Sequence, residues 1–152
     1  MPGIGQEVPL KLATIGYEQA TLPDVIGRLK AAGVEVVIDV RAVASSRRPG
    51  FSKSMLAASL AEAGVDYVHL RQLGTPSAGR TAARAGRVAE MHAIFEEHMQ
   101  EPGPQLELVR AAEIASERRA ALLCYEADAP GCHRRILADR LHASHGFEVE
   151  DL

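Results

Sequence analysis

The chain has 152 residues and a net charge of −3 at pH 7, with 47% hydrophobic and 24% charged residues. This length suits one domain with a sizeable core, and the composition is that of a globular protein rather than a disordered one. No apolar run approaches the roughly 20 residues needed to span a bilayer. The N-terminus has no signal-peptide pattern, so we expect a cytoplasmic protein without a membrane partner.

Five strands are predicted along the chain. Three follow a glycine that suits the position just past a helix, because glycine adopts a left-handed backbone at little cost. These three strands are residues 34–39, 65–69 and 147–150. The other two are predicted at about residues 11–15 and 120–125.

Helices are predicted between these strands. Thr21 begins the first with a capping box, and Ser52 is predicted to cap the second. Further helices are predicted at about residues 84–99, 105–118 and 132–145. Residues 74–86, rich in glycine and small side chains, are predicted to be a loop, either a mobile lid or a plain surface connection.

Alternating strands and helices favour parallel β–α–β units. Residues 1–152 are therefore predicted to form a single α/β domain, a three-layer α/β/α sandwich with a mainly parallel sheet of about five strands. Ligands of such sheets bind beyond the carboxyl ends of the strands. Reactive and cationic residues follow the predicted strands at that edge, whereas the opposite edge offers glycine turns. We expect the functional site at the carboxyl edge.

The segment from Cys124 to Arg134 is predicted to be the centre of this site. Cys132 falls at the start of the last helix, where the helix dipole and Arg134 can lower the pKa of a thiol. We predict Cys132 to be the nucleophile or acid/base group, assisted by Glu126 or His133. The alternative is a small buried residue that only packs. Cys124, near the end of an apolar strand, is more typical of structural support.

Asp39 and Arg41 begin on the same face of one strand. A structural ion pair is the usual meaning of this spacing, but Asp39 is also a candidate catalytic residue that orients a basic group. Arginine suits anion recognition, and 14 of the 17 basic residues are Arg, although a GC-rich genome also explains that bias. The predicted substrate-binding residues are Tyr17, Arg41, Ser46, Arg47, Phe51, His69 and Arg134.

A metal site is chemically feasible for one set of residues. The set consists of Cys124, Cys132, His133 and His69, but no spacing in the sequence demands it, so no cofactor is predicted. The sequence also lacks the GxxxxGK[ST] phosphate loop, the zinc-deaminase motif pair and a dinucleotide fingerprint after the first strand.

The motifs taken together resemble a family called domain of unknown function 488. They lie at residues 14–17, 39–41, 46–47 with 50–51, 67–70 with 73–74, 123–126 and 132–134. The resemblance extends from about residue 13 to residue 152 and implies a bacterial α/β protein. It implies no particular activity, substrate or cofactor. Thr75 departs from the pattern, because such proteins often have a further glycine there.

Three functions remain open at this point. The first is an enzyme, such as a cysteine-dependent hydrolase or transferase, whose anionic, nucleotide-like or nucleic-acid-like substrate is held by Arg41, Arg47 and Arg134. The second is a nucleic-acid-binding module without catalysis, with Tyr17 and Phe51 as stacking surfaces. The third is a thiol redox or metal-binding protein. The predicted partner is an anionic small molecule or a nucleic acid.

Overall fold

The computed structural model describes residues 10–126 and 132–152, and the sheet in these ranges has five strands. They are β1 (Lys11–Gly16), β2 (Val36–Asp39), β3 (Asp66–His69), β4 (Ala120–Cys124) and β5 (Glu148–Asp151). Their order is β3-β2-β4-β1-β5, and all four neighbouring pairs are parallel. The predicted parallel sheet is confirmed, with β5 starting one residue later than the sequence indicated.

Six α-helices lie within the same ranges. They are α1 (Leu22–Ala31), α2 (Lys53–Glu62), α3 (Ser77–Arg84), α4 (Val88–His98), α5 (Pro102–Glu117) and α6 (His133–His145). The capping box of α1 is confirmed, since the Thr21 hydroxyl accepts from the Asp24 N–H. Ser52 does not cap α2 with its side chain; its hydroxyl bonds to the backbone of Ser46. None of the described helices combines the length and the apolar character needed to cross a membrane.

The predicted loop at residues 74–86 is wrong, because most of it is helix α3. The small residues in this segment allow close packing. Gly79 and Ala82 are buried, and a Cβ atom on Gly79 would overlap the side chain of Thr75. Glycine therefore marks a tight contact here and not a break in secondary structure.

Helices cover both faces of the sheet and produce the predicted three layers. Leu29 of α1 and Leu56 of α2 belong to the apolar cluster on one face. Ala82 of α3, Phe95 of α4, Ala112 of α5 and Leu137 of α6 belong to the cluster on the other face.

This arrangement explains where a ligand can enter. The central strand β4 lies between β2 and β1. The chain leaves β1 and β2 toward helices on one face, but it leaves β4 toward α6 on the opposite face. Neighbouring strands whose connections diverge leave a crevice at their carboxyl ends. Cys124, the last residue of β4, lies at this crevice beside Gly16 of β1.

Candidate functional site

A cavity of about 680 Å³ opens at the carboxyl end of β4. Its walls come from the loops after β1, β2 and β4, together with α3 and Met91 of α4. The volume is within the roughly 300–1,000 Å³ typical of small-ligand pockets. Its ionisable and nucleophilic lining residues include Glu18, Arg41, Arg47, Arg80, Arg84, Cys124, Glu126 and His133.

Cys124, Cys132 and His133 form a buried group at the base of this cavity, which we call the Cys–Cys–His cluster. Their potential ligand atoms all lie within 4.8 Å of one another. The two Sγ atoms are 2.7 Å apart, and Nδ1 of His133 is 3.6 Å from each sulfur. Both cysteines are free. Residues 127–131, the middle of the segment predicted as the centre of the site, lie outside the described residues.

A backbone contact fixes the orientation of His133. Its Nε2 atom lies 2.7 Å from the carbonyl oxygen of Val40. Because a carbonyl oxygen can only accept, Nε2 carries the proton, and in the neutral ring Nδ1 keeps its lone pair. The Phe95 ring packs edge-on against the imidazole, with 5.2 Å between centroids. In its neutral form His133 therefore directs the lone pair of Nδ1 toward the two sulfurs.

The environment of Cys132 differs from the sequence prediction. Cys132 is the N-cap residue of α6, but its side chain is only 1% exposed. Burial, followed by the hydrogen bond to Cys124, raises the pKa of the Cys132 thiol well above its ordinary value. The predicted lowering is wrong, because desolvation of a thiolate outweighs the favourable helix N-terminus and the neighbouring His133. Arg134 is also buried, and its guanidinium donates to the backbone carbonyl of Glu126.

Glu126 and Cys124 are joined by a hydrogen bond. The Cys124 thiol donates to Oε2 of Glu126 at 3.1 Å, while its sulfur accepts from the Cys132 thiol. This chain of contacts directs the proton of Cys124 toward a carboxylate. Gly16 permits the arrangement, because a Cβ atom there would overlap the carbonyl oxygen of Glu126.

Asp39 and Arg41 form a buried ion pair, with 2.7 Å between Oδ2 and Nη2. Nε of Arg41 also donates to the carboxylate, and Nη1 donates to the Tyr17 hydroxyl and the Phe51 carbonyl. Burial opposes the charge of Arg41, but Asp39 and Tyr17 more than compensate and raise its pKa. Most of its N–H groups are already bonded within the protein. The structural interpretation of this pair therefore fits, and Arg41 has little capacity left for an anion.

The remaining predicted binding residues lie around these loops. Tyr17 and Phe51 are buried and stack on each other, with 4.2 Å between ring centroids. The Ser46 hydroxyl accepts from the Arg48 N–H. His69 donates from Nε2 to the carbonyl of Arg41 at 2.7 Å, and it lies outside the Cys–Cys–His cluster. The sequence had included His69 in the feasible metal set, and the structure separates it from the other three residues.

Two cationic cavity residues were missed by the sequence analysis. Arg80 and Arg84 lie one turn apart on α3, so they project from similar faces of the helix. Arg80 is half-buried and donates to the Thr75 carbonyl, whereas Arg84 is exposed. Their spacing was visible in the sequence, but it had no meaning while the segment was taken for a loop. With the exposed Arg47 they form what we call the cationic rim.

Comparison with known proteins identifies a family for this chain but indicates no activity. The model of a family described as "Domain of unknown function DUF488" matches residues 21–141. The match spans most of the chain and includes the Cys–Cys–His cluster and Glu126. No curated protein matches the chain, and no solved structure does.

Proposed function

The chain belongs to the DUF488 family, whose description names no activity, and we propose that it is an enzyme acting on an anionic substrate of about nucleotide size. The proposed reaction class is hydrolysis or group transfer. One observation carries the proposal: the same cavity is lined by the cationic rim and by a thiol, a carboxylate and an imidazole.

The charges of the cavity favour an anion. The charge of Arg41 is balanced by Asp39, which leaves the three arginines of the cationic rim against two glutamates, Glu18 and Glu126. The planar fork of arginine matches the oxygens of phosphate and carboxylate groups. The rim therefore replaces Arg41 and Arg134 in the proposed binding role, and Arg47 keeps the role that the sequence predicted.

The thiol that faces the substrate is Cys124. It lines the cavity, whereas Cys132 lies behind it and donates to its sulfur. A carboxylate in contact with a thiol can take its proton, which makes Glu126 the candidate general base. Cys132 and His133 then act as the groups that position and polarise Cys124. The two free cysteines suit a reducing compartment, and we place the enzyme in the cytoplasm.

A nucleic-acid-binding module without catalysis is less well supported. Base stacking needs exposed aromatic faces. Tyr17 and Phe51, the predicted stacking surfaces, are 3% and 1% exposed and cover each other. This pair therefore favours a structural role.

Turnover tests the proposal. Wild-type protein is incubated with phosphate monoesters, phosphodiesters and nucleotides, and product formation is followed by chromatography. We expect turnover of at least one member, reduced at least 100-fold in Cys124→Ser and in Glu126→Gln. Arg110→Gln, which changes an exposed arginine of α5, is the matched control and should retain wild-type activity. Failure of every compound to react or bind, or full activity of Cys124→Ser, would refute the proposal.

A further inference from the structure

The Cys–Cys–His cluster combines two soft sulfur donors with one imidazole nitrogen. Thiolate and imidazole are the ligands that zinc prefers in proteins, and a set of two cysteines and one histidine is known at catalytic zinc sites. The set here spans two elements, since Cys124 ends β4 while Cys132 and His133 begin α6. The fold thus brings together residues whose spacing along the chain matches no metal motif.

Two of the three distances between the ligand atoms agree with a tetrahedral metal site. Zn–S bonds of about 2.3 Å and Zn–N bonds of about 2.0–2.1 Å give S···N edges of about 3.5 Å and an S···S edge of about 3.8 Å. Both measured S···N distances are 3.6 Å. The sulfurs are 2.7 Å apart, so metal binding requires them to separate by about 1 Å.

The orientation of His133 is an independent indication. Metal-binding histidines usually donate their second nitrogen to a carbonyl or carboxylate, which fixes the tautomer. His133 donates from Nε2 to the Val40 carbonyl, so its neutral ring presents the lone pair of Nδ1 to both sulfurs. This is the arrangement that a metal ligand requires before the ion arrives.

We infer that Cys124, Cys132 and His133 bind one divalent metal ion of the zinc type, with its fourth coordination position open to the cavity. Cys124 and His133 line the cavity, so an ion bound to them faces the substrate. Glu126, in contact with Cys124, lines the same cavity. Two thiolates and a divalent cation sum to no net charge, and binding releases both thiol protons to solvent.

The inference deepens the proposed function: with an ion bound, Cys124 acts as a metal ligand rather than as a free thiol, and the ion polarises an oxygen of the bound anion while Glu126 remains the candidate base. In this respect it rests on the proposed function, but metal binding itself can be measured without any substrate. The sequence predicted no cofactor because it could show spacing only, and this cluster depends on how the chain folds.

Metal content and cobalt spectroscopy test the inference on the full chain without an affinity tag. Reduced protein is incubated with zinc, desalted and analysed for zinc per chain. We expect about one zinc in the wild type, at least a tenfold loss in Cys132→Ser, and full retention in His145→Gln. His145 is an exposed histidine at the end of α6 and controls for adventitious binding.

Substitution of buried residues can disturb folding, so wild-type protein loaded with cobalt(II) provides a second measurement. We expect thiolate-to-cobalt charge-transfer absorption and the intense visible bands of tetrahedral cobalt, both abolished by adding zinc. Circular dichroism checks that each variant is folded. A folded Cys132→Ser variant that keeps its zinc overturns the inference, as does reduced wild type that holds no zinc and shows no cobalt–thiolate band.

The two proposals can fail separately. If the protein holds zinc but neither binds nor converts an anion, the metal site is supported and the proposed function is refuted. If the protein takes up no zinc and converts an anionic substrate at the same rate whether or not zinc is added, the proposed function is supported and the metal site is refuted.

Discussion

At the scale of single residues, the buried pair of Asp39 and Arg41 holds together the loops that follow β1 and β2. Arg41 contacts Tyr17 after β1 and the Phe51 carbonyl before α2, while its charge is matched by Asp39. Tyr67 of β3 donates a further hydrogen bond to the same carboxylate. The pair is therefore a structural support for one wall of the cavity.

Replacing Asp39 by asparagine leaves the Arg41 charge buried without its partner. We expect Asp39→Asn to lower the free energy of unfolding by about 3–5 kcal/mol, measured by urea denaturation. Glu90→Gln is the control, because it breaks an ion pair with Arg87 in which both side chains are about half exposed. That change should cost less than about 1 kcal/mol. Equal losses in the two variants would contradict the structural role of the buried pair.

Tyr67, which donates to the carboxylate of Asp39, makes the stability of the fold depend on pH. Burial, and then the hydrogen bond and charge of Asp39, raise the pKa of Tyr67 above its ordinary value. Folded protein therefore holds this proton more tightly than unfolded protein. The resulting stability is complete below the unfolded pKa of about 10 and is lost as the pH rises through the folded pKa.

The measurement is the free energy of unfolding between about pH 9 and pH 11. It should fall more steeply in the wild type than in Tyr67→Phe, which lacks the titrating hydroxyl. Parallel pH profiles for the two proteins would show that Tyr67 titrates with the same pKa in both states.

At the scale of elements, glycine permits two loops to approach the strand ends closely. A Cβ atom on Gly16 would overlap the backbone of Glu126, and one on Gly74 would overlap Ala42. The first contact places the carboxylate beside Cys124. The second brings the segment before α3 against the loop after β2, and so positions the cationic rim.

Alanine at residue 16 should displace the loop that carries Glu126. We expect Gly16→Ala to destabilise the fold by about 1–3 kcal/mol and to impair ligand binding, because the clash is with backbone. Gly27→Ala is the matched control, since Gly27 lies inside α1 with nothing within 4 Å of an added Cβ atom. It should stabilise by about 0.5–1 kcal/mol. Urea denaturation compares the two, and a neutral Gly16→Ala would contradict the close approach.

The sequence predicted elements well where one local signal dominates. Apolar runs and the glycines after helices located the strands, and Gly33, Gly64 and Gly146 all have the expected positive φ. It failed at α3, where Gly79 and Ala82 are small because neighbouring helices pack closely. Small residues are read as a loop when the packing partner is unknown.

At the scale of the whole molecule, the cavity is built from segments distant in the sequence. The sequence predicted that Cys124, Glu126 and His133 gather at the strand ends, and in the structure all three line one cavity. It could not predict that burial would raise the pKa of Cys132, or that most N–H groups of Arg41 would be bonded within the protein. Both outcomes depend on tertiary neighbours that periodicity does not reveal, such as the Phe51 carbonyl beside Arg41 and Cys124 beside Cys132.

We expect this cavity to bind an anion through the cationic rim. Isothermal titration calorimetry with adenosine monophosphate, and with adenosine as the uncharged comparison, tests it most directly. We predict that the nucleotide binds more tightly than adenosine. Its affinity should weaken about tenfold or more in Arg80→Gln or Arg84→Gln, because a charge-assisted hydrogen bond contributes about 1.5–3 kcal/mol. Arg110→Gln should bind as the wild type does. Equal affinities for nucleotide and nucleoside, or rim variants that bind unchanged, would contradict anion binding by the cationic rim.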